Sequence, residues 1–153
     1  MFMDCFAFRV SKKYVKELSE ELEIGHLRQG WGYDEKLNLR HANVKKNPKA
    51  KRNLPIMNEV SKGDFILVLN MPDNSSVTLA IASKDFSKGY IYDEESMDCK
   101  DFGHIFPAER IAVIRKTELS ENLRRSFFCR LRFFRLKKHE NEIKDLANKY
   151  IMK

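Results

Sequence analysis

The feature that most constrains the fold is a run of five apolar residues at positions 65–69, Phe-Ile-Leu-Val-Leu. A turn signal, Lys62-Gly63-Asp64, precedes the run, and a second one, Asp-Asn-Ser-Ser, follows it at 73–76. The next residues, VTLAIASKDF, are again rich in β-branched and aliphatic side chains. Two apolar strands joined by a short polar turn predict a hairpin over residues 64–86.

The remaining elements follow from the periodicity of the apolar residues. Residues 4–10 alternate and predict a first strand, and Ser11 predicts the cap of a helix that Gly25 ends. The other segments are predicted as strands at 89–92 and 102–115 and as helices at 120–131 and 139–151. This order predicts an α+β domain in which helices flank a small barrel of five to six strands.

Positive charge is concentrated in two segments of the chain. The net charge is +7, yet residues 115–138 alone hold nine Lys/Arg and two Glu, and residues 45–52 hold five basic residues and no acid. The rest of the chain has fifteen bases against twenty acids. Localised positive charge favours binding to a polyanion, although a solvated surface is the alternative. The predicted contacts to a nucleic-acid backbone are Lys45, Lys46, Lys49, Lys51, Arg52, Arg124, Arg125, Arg130 and Arg132.

Enzymatic and metal chemistry find little support in the sequence. Cys5, Cys99 and Cys129 are odd in number and far apart, which predicts reduced thiols and no metal site. Neither a nucleophile signature nor a phosphate-binding loop is present. We therefore expect no cofactor and no catalysis, with a small magnesium-dependent nuclease or other hydrolase as the alternative. The sequence has neither a membrane span nor an export signal, so we expect a cytoplasmic protein without membrane contact.

The only tryptophan, Trp31, lies between two glycines in the stretch LRQGWGY, residues 27–33. An indole held by such a turn could stack on a planar ligand, while Arg28 and Gln29 could bond to base edges or phosphate. Alternatively, Trp31 fills one end of the barrel and the glycines serve only the turn.

A second group of aromatic and polar residues follows later in the chain. Phe102 could face Trp31 across a pocket, and His104 could contact phosphate; the alternatives are a core phenylalanine and a surface histidine. Tyr90 and Tyr92 are two residues apart, which suits either a pocket wall or cross-strand packing.

Four segments together resemble the PUA-like superfamily: FAFRV, GHLRQGWG, MNEVSKGDFILVL and DFGHIFPAERIAVI. More narrowly, they are similar to the EVE and YTH-related domains at the N-terminus of modification-dependent restriction proteins of the McrB kind. The resemblance extends from about residue 4 to about residue 148. It implies a small β-barrel flanked by helices, with an aromatic pocket that accepts a flipped, often methylated, base.

The resemblance also implies roles for individual residues. Trp31 becomes a wall of the base pocket, and Gly63-Asp64 becomes a structural turn. Because the chain has a single tryptophan, the cage would have to be completed by other aromatic residues, namely Tyr33, Phe102, Tyr90 or Phe8.

These observations predict one domain over residues 1–153, with residues 115–153 as a basic, helical C-terminal segment packed on it. The predicted function is a non-catalytic DNA-binding specificity domain of a restriction or defence system that reads a modified base. A nuclease or motor would then reside on other domains or partner chains. An RNA-binding module and a sequence-specific duplex-DNA-binding barrel without base flipping are the alternatives.

Overall fold

The structure, a computed structural model, describes residues 3–30, 38–40, 56–93 and 102–152. These residues form a sheet of seven strands with helices on both sides. The strands are β1 (Cys5–Arg9), β2 (His26–Gln29), β3 (Phe65–Leu69), β4 (Ser76–Ala82), β5 (Ile91–Tyr92), β6 (His104–Arg115) and β7 (Phe133–Arg135). The α-helices are α1 (Val15–Glu23), α2 (Phe86–Gly89), α3 (Glu121–Ser126) and α4 (Glu140–Ile151).

Six of the strands lie side by side in the order β2-β6-β4-β3-β1-β7, and β5 pairs with β6 outside this row. The pairing of β1 with β3 is parallel, and the other pairings are antiparallel. The sheet curls into a half-barrel flanked by two main helices, α1 and α4. The predicted α+β class and barrel-like sheet are therefore confirmed.

The apolar run of β3 has a structural explanation, because both of its faces are buried. Ile66 and Val68 belong to one hydrophobic cluster, in which Leu18 and Leu22 of α1 also lie. Phe65, Leu67 and Leu69 belong to a second cluster, which α4 covers with Ile143, Leu146 and Ala147. A strand covered on both faces has no position for a polar side chain, and the predicted hairpin with β4 is confirmed.

The structure corrects the prediction of a helical C-terminal segment at residues 133–135. These residues form β7, which pairs antiparallel with β1. Phe133 enters the cluster of α1 and Phe134 enters the cluster of α4, so two adjacent aromatic side chains face opposite ways. Only an extended backbone allows that arrangement, and β1 offers the edge with which it pairs.

Four further boundaries differ from the predictions. The helix predicted at 120–131 is shorter, because α3 ends at Ser126. Ser11 makes no side-chain cap, since a 3₁₀ turn at Lys12–Tyr14 precedes α1. The predicted strand at 89–92 begins only at Ile91, because Phe86–Gly89 forms the helical turn α2. The segment 102–115, predicted as one or two strands, is a single strand of 12 residues, β6.

The turn before β3 is fixed by a buried carboxylate. Gly63 has a positive φ of 93°, which glycine adopts without strain. Asp64 then accepts hydrogen bonds from the backbone N–H of Asp4 (3.0 Å) and of Ser61 (2.8 Å). The carboxylate thereby joins the entry to β1 to the entry to β3.

In the part of the chain that the structure describes, no helix has the length and apolar character needed to cross a bilayer.

We expect Asp64→Ala to lower the free energy of unfolding by about 2–4 kcal/mol, because two backbone donors lose a charged acceptor inside the protein. Urea denaturation of the purified variant measures this loss. Asp73→Ala is the matched control, since its carboxylate accepts a hydrogen bond from the N–H of Ser75 in an exposed turn. Equal losses for the two variants would contradict the role given to Asp64.

Candidate nucleic-acid interface

Gln29, His104 and Tyr92 are brought together by the register of three strands. Gln29 is directly opposite His104 in the pairing of β2 with β6, and Tyr92 of β5 is opposite His104 on the other side. Residues directly opposite each other on paired strands project to the same face of the sheet. We call these residues, together with Tyr90, whose hydroxyl contacts His104, the Gln29–His104 cluster.

His104 is 1 % exposed and neutral. Burial lowers the pKa of its ring to about 3, so the imidazole carries no proton charge near neutral pH. Its Nδ1 lies 2.7 Å from the Tyr90 hydroxyl, which also accepts a hydrogen bond from the backbone N–H of Leu39 (3.2 Å). The hydrogen bond at Nδ1 joins the Tyr90 hydroxyl to the imidazole inside the protein. The surface position considered from the sequence is wrong, and at this buried place the ring offers no positive charge to a phosphate.

Arg28 is also buried, and its guanidinium is engaged within the protein. It donates to the carbonyl oxygen of Phe102 (3.0 Å) and forms ion pairs with Glu21 (3.4 Å) and Asp93 (3.2 Å). Since side chains alternate along a strand, Arg28 and Gln29 point to opposite faces of β2. A contact from Arg28 to a nucleic-acid backbone would require these ion pairs to open.

Gln29 presents an unusual polar group. The residue is 1 % exposed, and no donor among the described residues bonds to its side-chain carbonyl oxygen Oε1. A buried acceptor without a partner costs about 1–3 kcal/mol and needs an explanation. Gln29 is the last residue of β2, and Gly30 and Trp31 follow it directly in the chain. This acceptor is the strongest candidate for ligand contact in the cluster.

The other predicted pocket residues lie in three places. Phe102 is buried, with its ring 5.0 Å from the ring of Tyr14. Phe8 is 1 % exposed and lies in the core, with its ring 6.3 Å from that of Phe133. Two predicted pocket residues, Trp31 and Tyr33, lie outside the described part of the chain. The same holds for the predicted backbone contacts Lys45, Lys46, Lys49, Lys51 and Arg52.

Arg132 connects the C-terminal basic segment to the end of β2. Its Nη1 donates to the carbonyl oxygen of Gly30 (3.1 Å), the residue after Gln29. Its own carbonyl oxygen accepts from the backbone N–H of Arg9, at the end of β1. Arg130 is exposed nearby in the chain. One residue of the predicted phosphate-binding set thus lies beside the Gln29–His104 cluster.

Arg124 and Arg125 of α3 lie at a different feature, a cavity of about 630 Å³. Arg9, Asn70 and Lys116 line the same cavity. The sequence does not single out these three residues, because residues 9, 70 and 116 come from separate elements and share no spacing. Only the pairing of the strands brings them together.

The part of the chain that is described contains no group of three or more His, Cys, Asp or Glu side chains able to hold a metal ion.

Neither the protein-family models nor the curated proteins compared with the chain match it. Among solved structures, the chain is similar to the crystal structure of protein Atu2648 from Agrobacterium tumefaciens. The two chains are 12 % identical, the alignment covers 94 % of this chain and 92 % of that chain, and the TM-score is 0.46. A likeness at this level carries no information about function.

The buried imidazole predicts a pH dependence of stability. Because the folded pKa of about 3 lies below the ordinary value of 6.5, the unfolded chain takes up this proton first as the pH falls. The contribution of His104 is thus complete above pH 6.5 and is lost as the pH falls towards 3. The slope is at most about 1.4 kcal/mol per pH unit.

Urea denaturation between pH 7 and pH 5 measures this slope, and we expect His104→Gln to make it shallower. The difference between the two proteins isolates His104 from the carboxylates that titrate in both. Identical slopes would show that the imidazole is not held neutral in the folded protein.

Proposed function

We propose that this chain is a non-catalytic DNA-binding domain that reads a base at the end of β2. The observation that carries the proposal is the buried Oε1 of Gln29, which has no donor among the described residues. The exocyclic amino groups of adenine and cytosine are donors of the kind that this acceptor lacks. A base that supplies the donor removes the cost of the unpaired oxygen, whereas a base without one leaves it in place.

The surroundings of Gln29 suit a planar ligand. Tyr90 and Tyr92 supply aromatic surface against His104, and the neutral His104 adds a ring without charge. A base taken out of the stack is bound by such surfaces and is read at its edge by a few polar groups. Trp31, two residues after Gln29, is the proposed further wall of the pocket.

Affinity for the DNA backbone comes, in this proposal, from the basic C-terminal segment. Arg132 lies beside Gly30, and Arg124, Arg125 and Arg130 are exposed. Contacts of this type neutralise phosphates, so they give salt-dependent binding that is independent of sequence. The buried cluster would then supply the selectivity.

Two parts of the proposal rest on the resemblance of the sequence to PUA-like domains. They are that the base is modified and that the chain serves a restriction or defence system, with the nuclease or motor on other domains or partner chains. We propose them as the biological setting in which a base-reading domain of this kind would act.

The test is fluorescence-polarisation binding of the chain to matched duplexes, unmodified or carrying 6-methyladenine or 5-methylcytosine, at two salt concentrations. We expect one modified duplex to be preferred at both concentrations. Equal binding that disappears at the higher salt concentration would leave only backbone contacts and would overturn base reading. Single-stranded RNA is included as a competitor, and its displacement of every duplex would favour an RNA-binding function instead.

We expect Gln29→Met to reduce the preference between duplexes about tenfold, because the edge-reading acceptor is lost. Its free energy of unfolding should be unchanged or higher, since an unpaired polar atom is removed from the interior. Trp31→Ala should likewise abolish the preference while leaving weak, salt-dependent binding. Polarisation titrations measure the preference between duplexes, and urea denaturation measures the free energy of unfolding.

The matched control is Thr78→Val on β4, which β6 separates from β2 in the sheet. Thr78 donates a buried hydrogen bond to the carbonyl oxygen of Met71 (2.9 Å), so its loss should lower stability and leave the preference intact. If Gln29→Met kept the full preference, the base would have to be read elsewhere.

A further inference from the structure

A second site is indicated by the cavity of about 630 Å³ at the carboxyl ends of β1 and β3. Arg9 and Leu69 end these parallel strands and are paired with each other in the register. Parallel strands end at the same edge of a sheet, so the residues that follow them converge there. The lining residues are Arg9, Leu69, Asn70, Lys116, Glu121, Arg124, Arg125, Phe127 and Phe128.

Three cations of this cavity have no carboxylate partner among the described residues. Lys116 Nζ bonds to the amide oxygen of Asn70 (2.7 Å), and the Arg9 guanidinium donates to the carbonyl oxygen of Phe127. Arg124 makes no ion pair with any described residue. Neutral oxygens orient the first two cations, and the Asp73 carboxylate acts on Lys116 without forming an ion pair with it.

The carboxylate among the described lining residues, Glu121, is already in an ion pair. Glu121 lies 2.7 Å from Arg125, one helical turn away on α3. Once this pair is set aside, the charge of Arg9, Lys116 and Arg124 remains. Burial lowers the pKa of Lys116, the Asp73 carboxylate raises it, and the positive charge of Lys12 lowers it; the net direction is downward. An anion beside Nζ would act in the same direction as Asp73 and raise this pKa.

Asn70 has a backbone conformation that fits a specific role. Its φ of 58° is in the left-handed region, which asparagine adopts more readily than most residues do. This conformation occurs where β3 ends, and the side chain from there reaches Lys116. The turn thus fixes the ammonium group at the cavity.

Aromatic surface adjoins these cations. Phe128 is 85 % exposed, and Phe127 is partly buried against the second cluster. A large apolar side chain left in water beside positive charge is a suitable platform for a nucleic-acid base, because every base has a face that can stack. The volume of the cavity is in the range of small-molecule sites and exceeds the needs of a lone phosphate.

We infer that this cavity binds a nucleoside phosphate, with the phosphate against Lys116, Arg9 and Arg124 and the base against Phe128. The ligand has two sources, a free mononucleotide and a nucleotide within a bound strand. The second source, a nucleotide within a bound nucleic-acid strand, rests on the proposed function. It is favoured by Arg132, which bonds to Gly30 on one side and to Arg9 on the other. A strand that engages the end of β2 would pass Arg132 to reach this cavity.

The test is an NMR titration of the ¹⁵N-labelled full chain with adenosine 5′-monophosphate, adenosine and a short oligothymidylate. We expect the two phosphate-bearing ligands to shift the amide signals of Asn70, Lys116 and Phe128 with saturation. Adenosine should bind at least about tenfold more weakly, since charge-assisted hydrogen bonds to phosphate are lost. Tighter binding of the oligonucleotide identifies a strand as the source, and equal or tighter binding of the mononucleotide identifies the free ligand. Absence of saturable shifts at these residues with both phosphate ligands would overturn the inference.

Variants separate a built site from diffuse attraction. Lys116→Met and Arg124→Gln should each weaken binding about tenfold, and Phe128→Ala should weaken it without lowering stability. Arg130→Gln is the matched control, an exposed arginine of the same segment outside the lining. If Arg130→Gln weakens binding as much as Arg124→Gln, the inference is wrong. Gln29→Met separates this site from the proposed function. If that variant loses base preference but binds adenosine monophosphate as before, the result concerns the proposed function alone, and the nucleotide site is unaffected.

Discussion

The parallel pairing of β1 with β3 organises the rest of the structure. It joins two distant segments through five residue pairs, from Cys5 opposite Phe65 to Arg9 opposite Leu69. Both strands are buried on both faces, so the two hydrophobic clusters and the helices that cover them are arranged around this pair. β7 then adds the C-terminal part of the chain to the other edge of β1. A parallel pair requires a long connection, and residues 10–64 supply it.

The elements that could be predicted are those whose signals are local. The hairpin of β3 and β4 was predictable because its apolar runs and its turn residues are adjacent in the sequence. β7 was not, since Phe133 and Phe134 become strand residues only through β1, at the opposite end of the chain. Their interleaving with arginines also resembles an amphipathic helix when it is viewed alone.

The candidate site was predictable to a similar extent. The stretch around Trp31 singles out Gln29, and the structure adds that its side-chain oxygen is buried without a donor among the described residues. Nothing in the sequence predicts that His104 is neutral, because its pKa depends on burial created by β2, β5 and β6 together. The ion pairs of Arg28 depend likewise on helix α1 and on Asp93.

The hydrogen bond from Arg132 to Gly30 has a mechanical consequence. β2 and β7 are the two ends of the strand row, and in the described part of the chain this side-chain contact spans the seam between them. Because the Arg132 guanidinium, and not a ladder of backbone hydrogen bonds, makes this contact, the contact can open without the loss of any strand pairing. In the proposed DNA complex, a phosphate that took the Nη1 donor of Arg132 from the Gly30 carbonyl would open this contact. Under the proposed function, the binding of a polyanion at Arg132 and the opening of this contact would then be a single event.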